Sequence, residues 1–387
     1  MSSVMCRSYS HIPLTIKKED FIFTSPHKSL LAKGIFANLT LPAEQGHRHN
    51  SEFQRQIDQL LIQATRAGIK NPIIAGVIPF DKRHASALYI PQSYHWFDRH
   101  TLALPNTPVN VMGQLHQYLD HNDFCSMVKK ALCALHGDTL DKVVLSRLLN
   151  IESIKPLNAL SIWCQLHKQN PSSYNFHLPL SDCTLVGASP ELLLRKQGDK
   201  LWSCPLAGTA KRGENSASDN LAKETLLTSS KDRYEHELVT KAIHHQLSAH
   251  CQDLTIPVPS LISTPKLWHL ATEIEGLVKD KNESAISLAC LLHPTPALCG
   301  TPSMIARDLI TQLEPFDRQW FGGIIGWSDA EGNGEWVVVI RCGKVSTYRI
   351  ELFAGAGIVP DSQPENEWCE TSNKLGTMLS ALNYQPC

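Results

Sequence analysis

The pattern of hydrophobic and polar positions along the chain predicts short strands interleaved with amphipathic helices. Apolar residues at helical spacing predict helices over residues 51–69, 123–136, 216–228, 232–250 and 365–382. Short apolar runs predict strands over residues 73–80, 87–90, 143–151, 174–180, 184–189, 192–195, 200–206, 320–327, 335–342 and 348–353. Helices and strands are therefore mixed over most of the chain.

The turns between these strands favour an α+β fold. Residues 197–199 read Gln-Gly-Asp and residues 332–334 read Gly-Asn-Gly, and each triplet separates two predicted strands as a hairpin turn does. Hairpins join antiparallel strands, which argues against a doubly wound parallel sheet. A length of 387 residues suggests two or three domains of about 150 residues. However, no Pro-, Gly- or Ser-rich linker divides the sequence, so we predict one domain over 1–387, with 1–119 as its N-terminal part.

Composition and charge exclude several classes of protein. The chain has 36 Lys+Arg against 37 Asp+Glu, a net charge of −1, and it is 42% hydrophobic, which indicates a soluble globular protein. Nucleic-acid binding needs a basic excess, so no nucleic-acid partner is predicted. Residues 1–20 lack an apolar signal core, and the apolar run 285–292 is shorter than the ~18 residues of a membrane helix. With 12 cysteines and no C-x-x-C, we predict a cytoplasmic chain that keeps its thiols reduced and has no membrane contact.

Three partial motifs fail at the residue on which their chemistry depends. Glu214 replaces the phosphate-binding lysine of a P-loop, and Glu191 replaces the second glycine of a nucleophile elbow. Thr240 replaces the second histidine of a zinc peptidase motif. These substitutions argue against nucleotide hydrolysis, serine esterase chemistry and zinc peptidase chemistry.

Two pairs of carboxylates indicate a metal site. Asp232 and Glu235 lie three residues apart near the start of one predicted helix, and Glu367 and Glu370 have the same spacing near the start of another. The i, i+3 spacing puts each pair on one helix face, so the two helices together can offer four oxygen ligands of the kind that Mg²⁺ prefers. Lys374 follows Glu370 by one turn and can neutralise an anionic ligand. The alternative is that acidic residues simply favour helix N-termini.

Charged residues at strand ends are candidates for catalysis and anion binding. Strand alternation puts Arg341 on the face of Val337 and Val339, where its guanidinium needs a carboxylate from the protein or from a ligand. Lys142 precedes an apolar strand and Glu191 follows another. If they face one cavity, and burial moves their pKa values toward neutrality, they can act as a base and an acid.

Small residues follow two predicted strands, at 207–210 and at 354–357. Such segments expose backbone N–H groups that can bind carboxylates, although ordinary turn glycines are an equally good interpretation.

Ordered motifs give the chain a resemblance to a known family. In chain order they are KVVLSR at 142–147, GASPELLL at 187–194, LAGTA at 206–210, EHELV at 235–239, LWHLAT at 267–272, HPTPA at 293–297, VIR at 339–341, GAGIVP at 355–360 and EWCET at 367–371. With these motifs the chain resembles the chorismate-utilising enzymes, and most of all the isochorismate synthases of catechol siderophore pathways. The resemblance covers residues 120–384.

The resemblance implies a fold and a reaction. The fold would be a single α+β domain in which two antiparallel sheets pack together and are flanked by helices. The reaction would be the Mg²⁺-dependent conversion of chorismate to isochorismate, in which water adds at ring C2 and the C4 hydroxyl leaves. By position, Lys142 matches the base that activates the water, and Glu191 matches the acid that protonates the departing hydroxyl.

The resemblance also implies which residues bind the metal and the substrate. Glu235 and Glu370 match the Mg²⁺ ligands, and Asp232 and Glu367 would support them directly or through water. The residues that match the substrate-binding groups are Ala207, Gly208, Thr209, His269, Arg341, Gly355 and Lys374.

Other chorismate-utilising enzymes are alternatives to an isochorismate synthase. Lys142 argues against an anthranilate synthase, and Ala207 argues against an aminodeoxychorismate synthase, so no glutaminase subunit is expected and the chain is expected to be monomeric. A salicylate synthase, or an isochorismate synthase for menaquinone, stays open as an alternative. A non-catalytic binding protein is disfavoured because Lys142, Glu191 and the four acidic residues are all present.

Overall fold

The computed structural model describes residues 4–7, 13–105, 108–137 and 139–386, which form eight α-helices, one 3₁₀ helix at Arg99–Thr101 and 25 strands. The helices are α1 Glu52–Arg66, α2 His121–Leu135, α3 Ala159–Gln169, α4 Ser216–Thr228, α5 Ser230–Leu247, α6 Ala285–Leu292, α7 Ser303–Leu313 and α8 Pro364–Leu382. The strands are β1 Val4–Arg7, β2 Pro13–Ile16, β3 Phe21–Thr24, β4 Ser29–Lys33, β5 Ala37–Leu39, β6 Ile73–Ile78, β7 Ala87–Ile90, β8 Ser93–Phe97, β9 Met112–Gln117, β10 Lys142–Ser153, β11 Tyr174–Pro179, β12 Thr184–Ser189, β13 Leu192–Gln197, β14 Lys200–Cys204, β15 Leu206–Lys211, β16 Cys251–Thr255, β17 Ser260–Ser263, β18 Leu267–Ala271, β19 Ile274–Val278, β20 Gly300–Thr301, β21 Ile324–Asp329, β22 Gly334–Val338, β23 Cys342–Val345, β24 Arg349–Ile358 and β25 Gln385–Pro386.

Most of the strands belong to two large sheets. The larger has 11 strands, in the order β25-β9-β10-β24-β23-β12-β11-β3-β4-β8, with β20 also paired to β10. The second has nine strands, in the order β16-β19-β14-β13-β22-β21-β6-β7-β5. A three-stranded sheet, β15-β18-β17, and the β1-β2 pair complete the described part of the chain. Among the described strands, β25 and β9 run parallel and the other pairs are antiparallel, so the predicted α+β class is confirmed.

The hydrophobic core lies between the two large sheets. One buried cluster contains Phe23 and Phe176 from the larger sheet together with Ile325 and Trp336 from the nine-stranded sheet. A second cluster covers the other face of the larger sheet, where residues of β10 and β24 pack against α3 and α8. Both faces of the larger sheet are thus covered by apolar contacts.

Within two of the predicted strands the chain changes from one sheet to another. The predicted strand 200–206 is interrupted at Pro205, which has no N–H to donate, and the chain passes from β14 in the nine-stranded sheet to β15 in the three-stranded sheet. The predicted strand 335–342 ends at Val338, because β23 belongs to the larger sheet. Arg341 therefore lies in a bend with φ of 50°, and the prediction that strand alternation puts it on the face of Val337 and Val339 is wrong.

A buried ion pair between Arg318 and Glu314 holds β10 through hydrogen bonds to its backbone. Arg318 Nη2 lies 2.5 Å from Glu314 Oε1, and both side chains are almost fully buried. Glu314 Oε1 also accepts a hydrogen bond from the backbone N–H of Ser146, and Arg318 donates to the carbonyl oxygen of Val144. These contacts hold the strand that begins at Lys142.

None of the helices in the described ranges is long and apolar enough to span a bilayer. The prediction that residues 1–20 carry no signal segment falls partly outside the described residues, since 1–3 and 8–12 are not among them. The single-domain assignment stays a prediction.

Candidate active site

A cavity lies where β24, β15 and β18 meet α5 and α8, and it collects most of the residues singled out from the sequence. The predicted residues that line it are Glu191, Ala207, Gly208, Thr209, Glu235, His269, Arg341, Gly355 and Lys374. An adjoining cavity shares Thr209 and is lined by the other predicted carboxylates, Asp232, Glu367 and Glu370. Lys142 lines neither cavity, but its side chain contacts Glu235, which lines the first.

Lys142 and Glu235 form a buried ion pair at the base of the site. Lys142 Nζ lies 2.9 Å from Glu235 Oε1, and their side chains are 0% and 6% exposed. Burial favours the neutral form of Glu235, but the Lys142 and Lys231 ammonium groups outweigh it and lower the pKa of this carboxyl. Gly357 makes room for the pair, because a Cβ there would overlap Glu235 Oε1 and lie 2.9 Å from Lys142 Cε. Sequence analysis noted the small residues at 354–357 but not this packing requirement.

Glu191 is a buried carboxyl whose pKa is raised. It follows β12 and Pro190, and its backbone carbonyl accepts a hydrogen bond from Val338. Burial raises the pKa of Glu191 to about 7, against the opposing effects of the Leu206 amide and the Lys142 and Arg341 charges. A carboxyl with this pKa carries a proton over much of the range below neutrality, as a proton donor requires.

His269 presents an unpartnered nitrogen in a buried position. The β15–β18 register places Thr209 opposite His269, and Thr209 Oγ1 shares a hydrogen bond of 3.1 Å with His269 Nδ1. Burial, followed by the Arg341 and Lys374 charges, holds the pKa of His269 well below its usual value, so the ring is neutral. Its Nε2 has no hydrogen-bond partner in the described part of the chain. The ring is therefore oriented by Thr209 and has one nitrogen left for a ligand.

The small residues before Thr209 form an irregularity in β15. The pairing of β15 with β18 shifts register between Leu206 and Thr209, so Ala207 and Gly208 have no partner opposite them in β18. Gly208 has φ of 82°, which favours glycine, and a Cβ there would lie 3.0 Å from Asp232 Cβ. The close approach of α5 to this strand depends on that glycine.

Arg341 and Lys374 supply positive charge at the cavity. Burial lowers the pKa of Arg341 to about 10, with Glu370 and Glu191 opposing the shift, so the guanidinium is charged at neutral pH. No carboxylate in the described residues lies within 4.0 Å of Arg341 as an ion-pair partner. Lys374 Nζ lies 2.6 Å from Glu370 Oε1 and donates to the carbonyl oxygen of Gly355 at 2.8 Å. Arg341 therefore has capacity for an external anion.

The two acidic pairs converge around a lysine that sequence analysis missed. Ser229 caps α5 by accepting a hydrogen bond from the N–H of Asp232, which places Asp232 and Glu235 on the face toward α8. The Lys231 ammonium lies 3.1 Å from Glu367, 3.5 Å from Glu235 and 3.8 Å from Asp232. Burial alone lowers the pKa of Lys231, but these carboxylates raise it well above its usual value. The only sequence signal was a lysine directly before Asp232.

This group of carboxylates, which we call the acidic cluster (Asp232, Glu235, Glu367 and Glu370), fits a magnesium ion. All four groups offer oxygen ligands, which is the donor type that Mg²⁺ prefers. One of the oxygens, Glu367 Oε2, is buried and has no hydrogen-bond partner in the described residues. Burial, followed by the charge of the neighbouring Glu370, raises the pKa of Glu367.

A known protein family matches most of the chain. The model of the family described as chorismate binding enzyme matches residues 106–383. The chain belongs to the chorismate-binding enzymes. The matched region includes every residue of the acidic cluster and of both cavities named above, and it resembles the range 120–384 that carries the sequence motifs.

Relatives within the chorismate-binding enzymes match almost the whole chain. The isochorismate synthase EntC of Escherichia coli (strain K12) is 45% identical over 390 residues, covering 99% of each chain. The isochorismate synthase DhbC of Bacillus subtilis (strain 168) is 37% identical over 383 residues, covering 94% of this chain and 93% of the relative. The crystal structure of Bacillus anthracis DhbC, a candidate 2,3-dihydroxybenzoate-specific isochorismate synthase, has a TM-score of 0.88 at 37% identity, covering 95% and 97%.

Proposed function

We propose that this protein is an isochorismate synthase that converts chorismate to isochorismate in a Mg²⁺-dependent reaction. The observation that carries the proposal is the arrangement at one cavity: a buried acid with a raised pKa, Glu191, faces a cavity backed by the buried Lys142 and holding the unpaired Arg341. Full-length relatives named isochorismate synthase support the same conclusion.

The charges around the cavity suit a small dianion. Chorismate carries two carboxylates, and a guanidinium can accept a carboxylate through two parallel hydrogen bonds. Arg341 supplies that group, Lys374 adds a second positive charge beside Gly355, and His269 Nε2 offers a polar contact near the ring. The short backbone segment with Ala207 and Gly208 also lines the cavity.

In the proposed reaction the base acts on the attacking water and the acid acts on the departing hydroxyl. Once its ammonium group has lost a proton, the neutral amine of Lys142 takes a proton from water, the resulting hydroxyl bonds to ring C2, the ring double bonds shift, and the C4–O bond breaks. Glu191 gives its proton to the departing hydroxyl, which leaves as water, so that one water enters and one leaves. Lys142 then loses the proton that it has taken and Glu191 regains one, both by proton exchange with solvent.

The acidic cluster would hold the Mg²⁺, with Glu235 and Glu370 as ligands and Asp232 and Glu367 in support. When bound, the ion supplies positive charge that polarises a substrate carboxylate and stabilises the charge that spreads over the ring. Lys374 contacts both Glu370 and Gly355, and so connects the acidic cluster with the substrate cavity.

Product analysis tests the proposal. The purified protein is incubated with chorismate and Mg²⁺, and the products are separated by chromatography and identified by mass. We expect isochorismate without salicylate or pyruvate, and no anthranilate when ammonium is added. Salicylate with stoichiometric pyruvate, or unchanged chorismate, would contradict the proposal. The Glu191→Gln variant under the same conditions shows that any product comes from this site.

We further propose that the chain works alone, as a cytoplasmic monomer without a glutaminase subunit, and that its product feeds 2,3-dihydroxybenzoate synthesis for a catechol siderophore. The Bacillus anthracis DhbC structure, which is described as 2,3-dihydroxybenzoate-specific, supports this pathway over menaquinone synthesis. Light scattering of the purified chain tests the monomer. Expression in a strain lacking isochorismate synthases tests the pathway, with growth under iron limitation as the expected rescue.

A further inference from the structure

A second group of metal-binding side chains lies away from the acidic cluster, between the first turns of α2 and α8. His121 and Cys125 are four residues apart on one face of α2, and Glu365 is the second residue of α8. His121 Nε2 lies 2.7 Å from Glu365 Oε2, and Cys125 Sγ lies 3.7 Å from both His121 Nε2 and Glu365 Oε1. The three donor atoms are therefore close enough to one another to bind a single ion.

The spacing of the donors is close to that of a tetrahedral zinc site. With Zn–S near 2.3 Å and Zn–N or Zn–O near 2.1 Å, tetrahedral donors lie about 3.3–3.6 Å apart. The two distances to the sulfur already approach this spacing, and only the hydrogen-bonded pair His121 and Glu365 has to separate, by roughly 0.6 Å. Their side chains are 43% and 70% exposed, so they have room to move and the fourth position is accessible to water.

The surrounding structure fixes the helix ends that carry these three residues. Asp120 caps α2 and so fixes His121 as its first residue, while Pro364 begins α8 directly before Glu365. Trp368, one turn further along α8, packs edge-on against the His121 ring with centroids 5.1 Å apart, and also contacts Phe124. The donors therefore project from two helices that are already packed together, rather than from a flexible loop.

We propose that His121, Cys125 and Glu365 bind a Zn²⁺-type transition-metal ion that joins α2 to the first turn of α8, at a site separate from the acidic cluster. A sulfur and an imidazole select such ions over Mg²⁺, whereas the acidic cluster offers oxygen alone. The two sites lie on the same helix, since Glu365 precedes Glu367 by two residues, and they select different metals by donor type.

Cobalt spectroscopy tests the site without chorismate, so that its outcome is independent of the proposed reaction. Reduced full-length protein is titrated with Co²⁺ in excess Mg²⁺, which keeps the acidic cluster saturated. We expect one equivalent to give a tetrahedral visible spectrum with a thiolate-to-cobalt band in the near ultraviolet, and Zn²⁺ to displace it. Zn²⁺ should also raise the melting temperature.

Matched variants identify the ligands. Cys125→Ser should abolish the thiolate band, and Glu365→Gln, at an exposed position, should keep that band but weaken binding at least about tenfold. Cys133→Ser on α2 and Cys369→Ser on α8 alter other free thiols and should behave like the wild type. Circular dichroism checks that each variant is folded. The proposal is wrong if Co²⁺ gives no thiolate band, if Cys125→Ser retains it, or if Glu365→Gln binds with unchanged affinity.

Discussion

The Lys231 ammonium lies 3.1 Å from Glu367 Oε1, between the two helices that carry the acidic cluster. A cation of the protein itself thus occupies the place where four carboxylates converge. Lys142 and Lys374 pair with two of the same carboxylates, Glu235 and Glu370. If the acidic cluster binds Mg²⁺ as we propose, the ion has to displace the Lys231 side chain, and Lys231 then competes with Mg²⁺ for the carboxylates.

Replacing Lys231 with methionine is expected to tighten Mg²⁺ binding at least tenfold, because like charges about 4 Å apart near a protein surface repel by up to about 4 kcal/mol. Without Mg²⁺ the variant should melt at a lower temperature than the wild type, since the carboxylates lose their counter-charge. Isothermal titration calorimetry and thermal melts check the two effects. Lys241→Met on the exposed side of the same helix is the matched control and should change neither. Unchanged Mg²⁺ affinity in Lys231→Met would mean that the lysine does not compete.

Glu191→Gln is expected to lower kcat by about 10²–10⁴-fold, because the amide cannot donate the proton, while chorismate and Mg²⁺ still bind. In the wild type the protonated form is lost as pH rises through about 7, so activity should fall above that pH. Rate measurements across pH, with calorimetry for binding, check this. Near-normal turnover in the variant would show that another group is the acid.

The same carboxyl is expected to affect stability with a definite sign. Its pKa is raised from 4.5 to about 7 in the folded protein, so between these values the folded state retains a proton that the unfolded state releases. The free energy of unfolding should then decrease from pH 4.5 to 7 through this group and level off above. Urea unfolding at several pH values should show a shallower decrease in Glu191→Gln than in the wild type. Parallel curves for the two proteins would argue against the raised pKa.

Gly357→Ala is expected to disrupt the Lys142–Glu235 pair, since the added methyl group would overlap Glu235 Oε1. Separating a buried pair leaves uncompensated charge, at a cost of about 3–5 kcal/mol in the free energy of unfolding, and turnover should fall as well. Urea unfolding and product assays measure both. Gly137→Ala is the control, because its Cβ would make only an ordinary contact of 3.7 Å. Equal stability of the two variants would contradict the prediction.

Glu314→Gln should destabilise the protein by about 3–5 kcal/mol, because it leaves the buried Arg318 guanidinium unpaired behind β10. In contrast, Asp81→Asn removes the partner of Arg83, whose side chain is 49% exposed, and an exposed pair of this kind contributes about 1 kcal/mol at most. Urea unfolding compares the two variants. A small effect for Glu314→Gln would show that solvent reaches Arg318.

Local patterns in the sequence predicted the parts of the site that depend on local geometry. Asp232 and Glu235 share a helix face because their spacing and the Ser229 cap are contained in a few consecutive residues. The pairing of Lys142 with Glu235 depends on strand and helix packing across the fold, so spacing along the chain did not indicate it. The same is true of Lys231, whose side chain is positioned by Glu367 on another helix.

Arg341 shows where a periodic argument fails. Its neighbours alternate as a strand would, but the chain crosses from one sheet to another there, and the residue takes a left-handed conformation. The order of strands in each sheet depends on pairings between strands that are far apart in sequence, such as β10 and β24. No local sequence pattern predicts these pairings. The motif resemblance, in contrast, indicated Arg341 without any knowledge of the backbone path, and the structure places this residue at the cavity.

The pairing of β10 with β24 has a consequence for protein synthesis. Val143 lies opposite Ile358 and Ser146 opposite Gly355, so the strand that supports the start of β10 is synthesised long after Lys142. A nascent chain that ends before residue 349 contains Lys142 and Glu191 but lacks β24, the strand that pairs with β10. It also lacks Gly355 and Gly357, which line the cavity, so the cavity can form only after β24 has been synthesised.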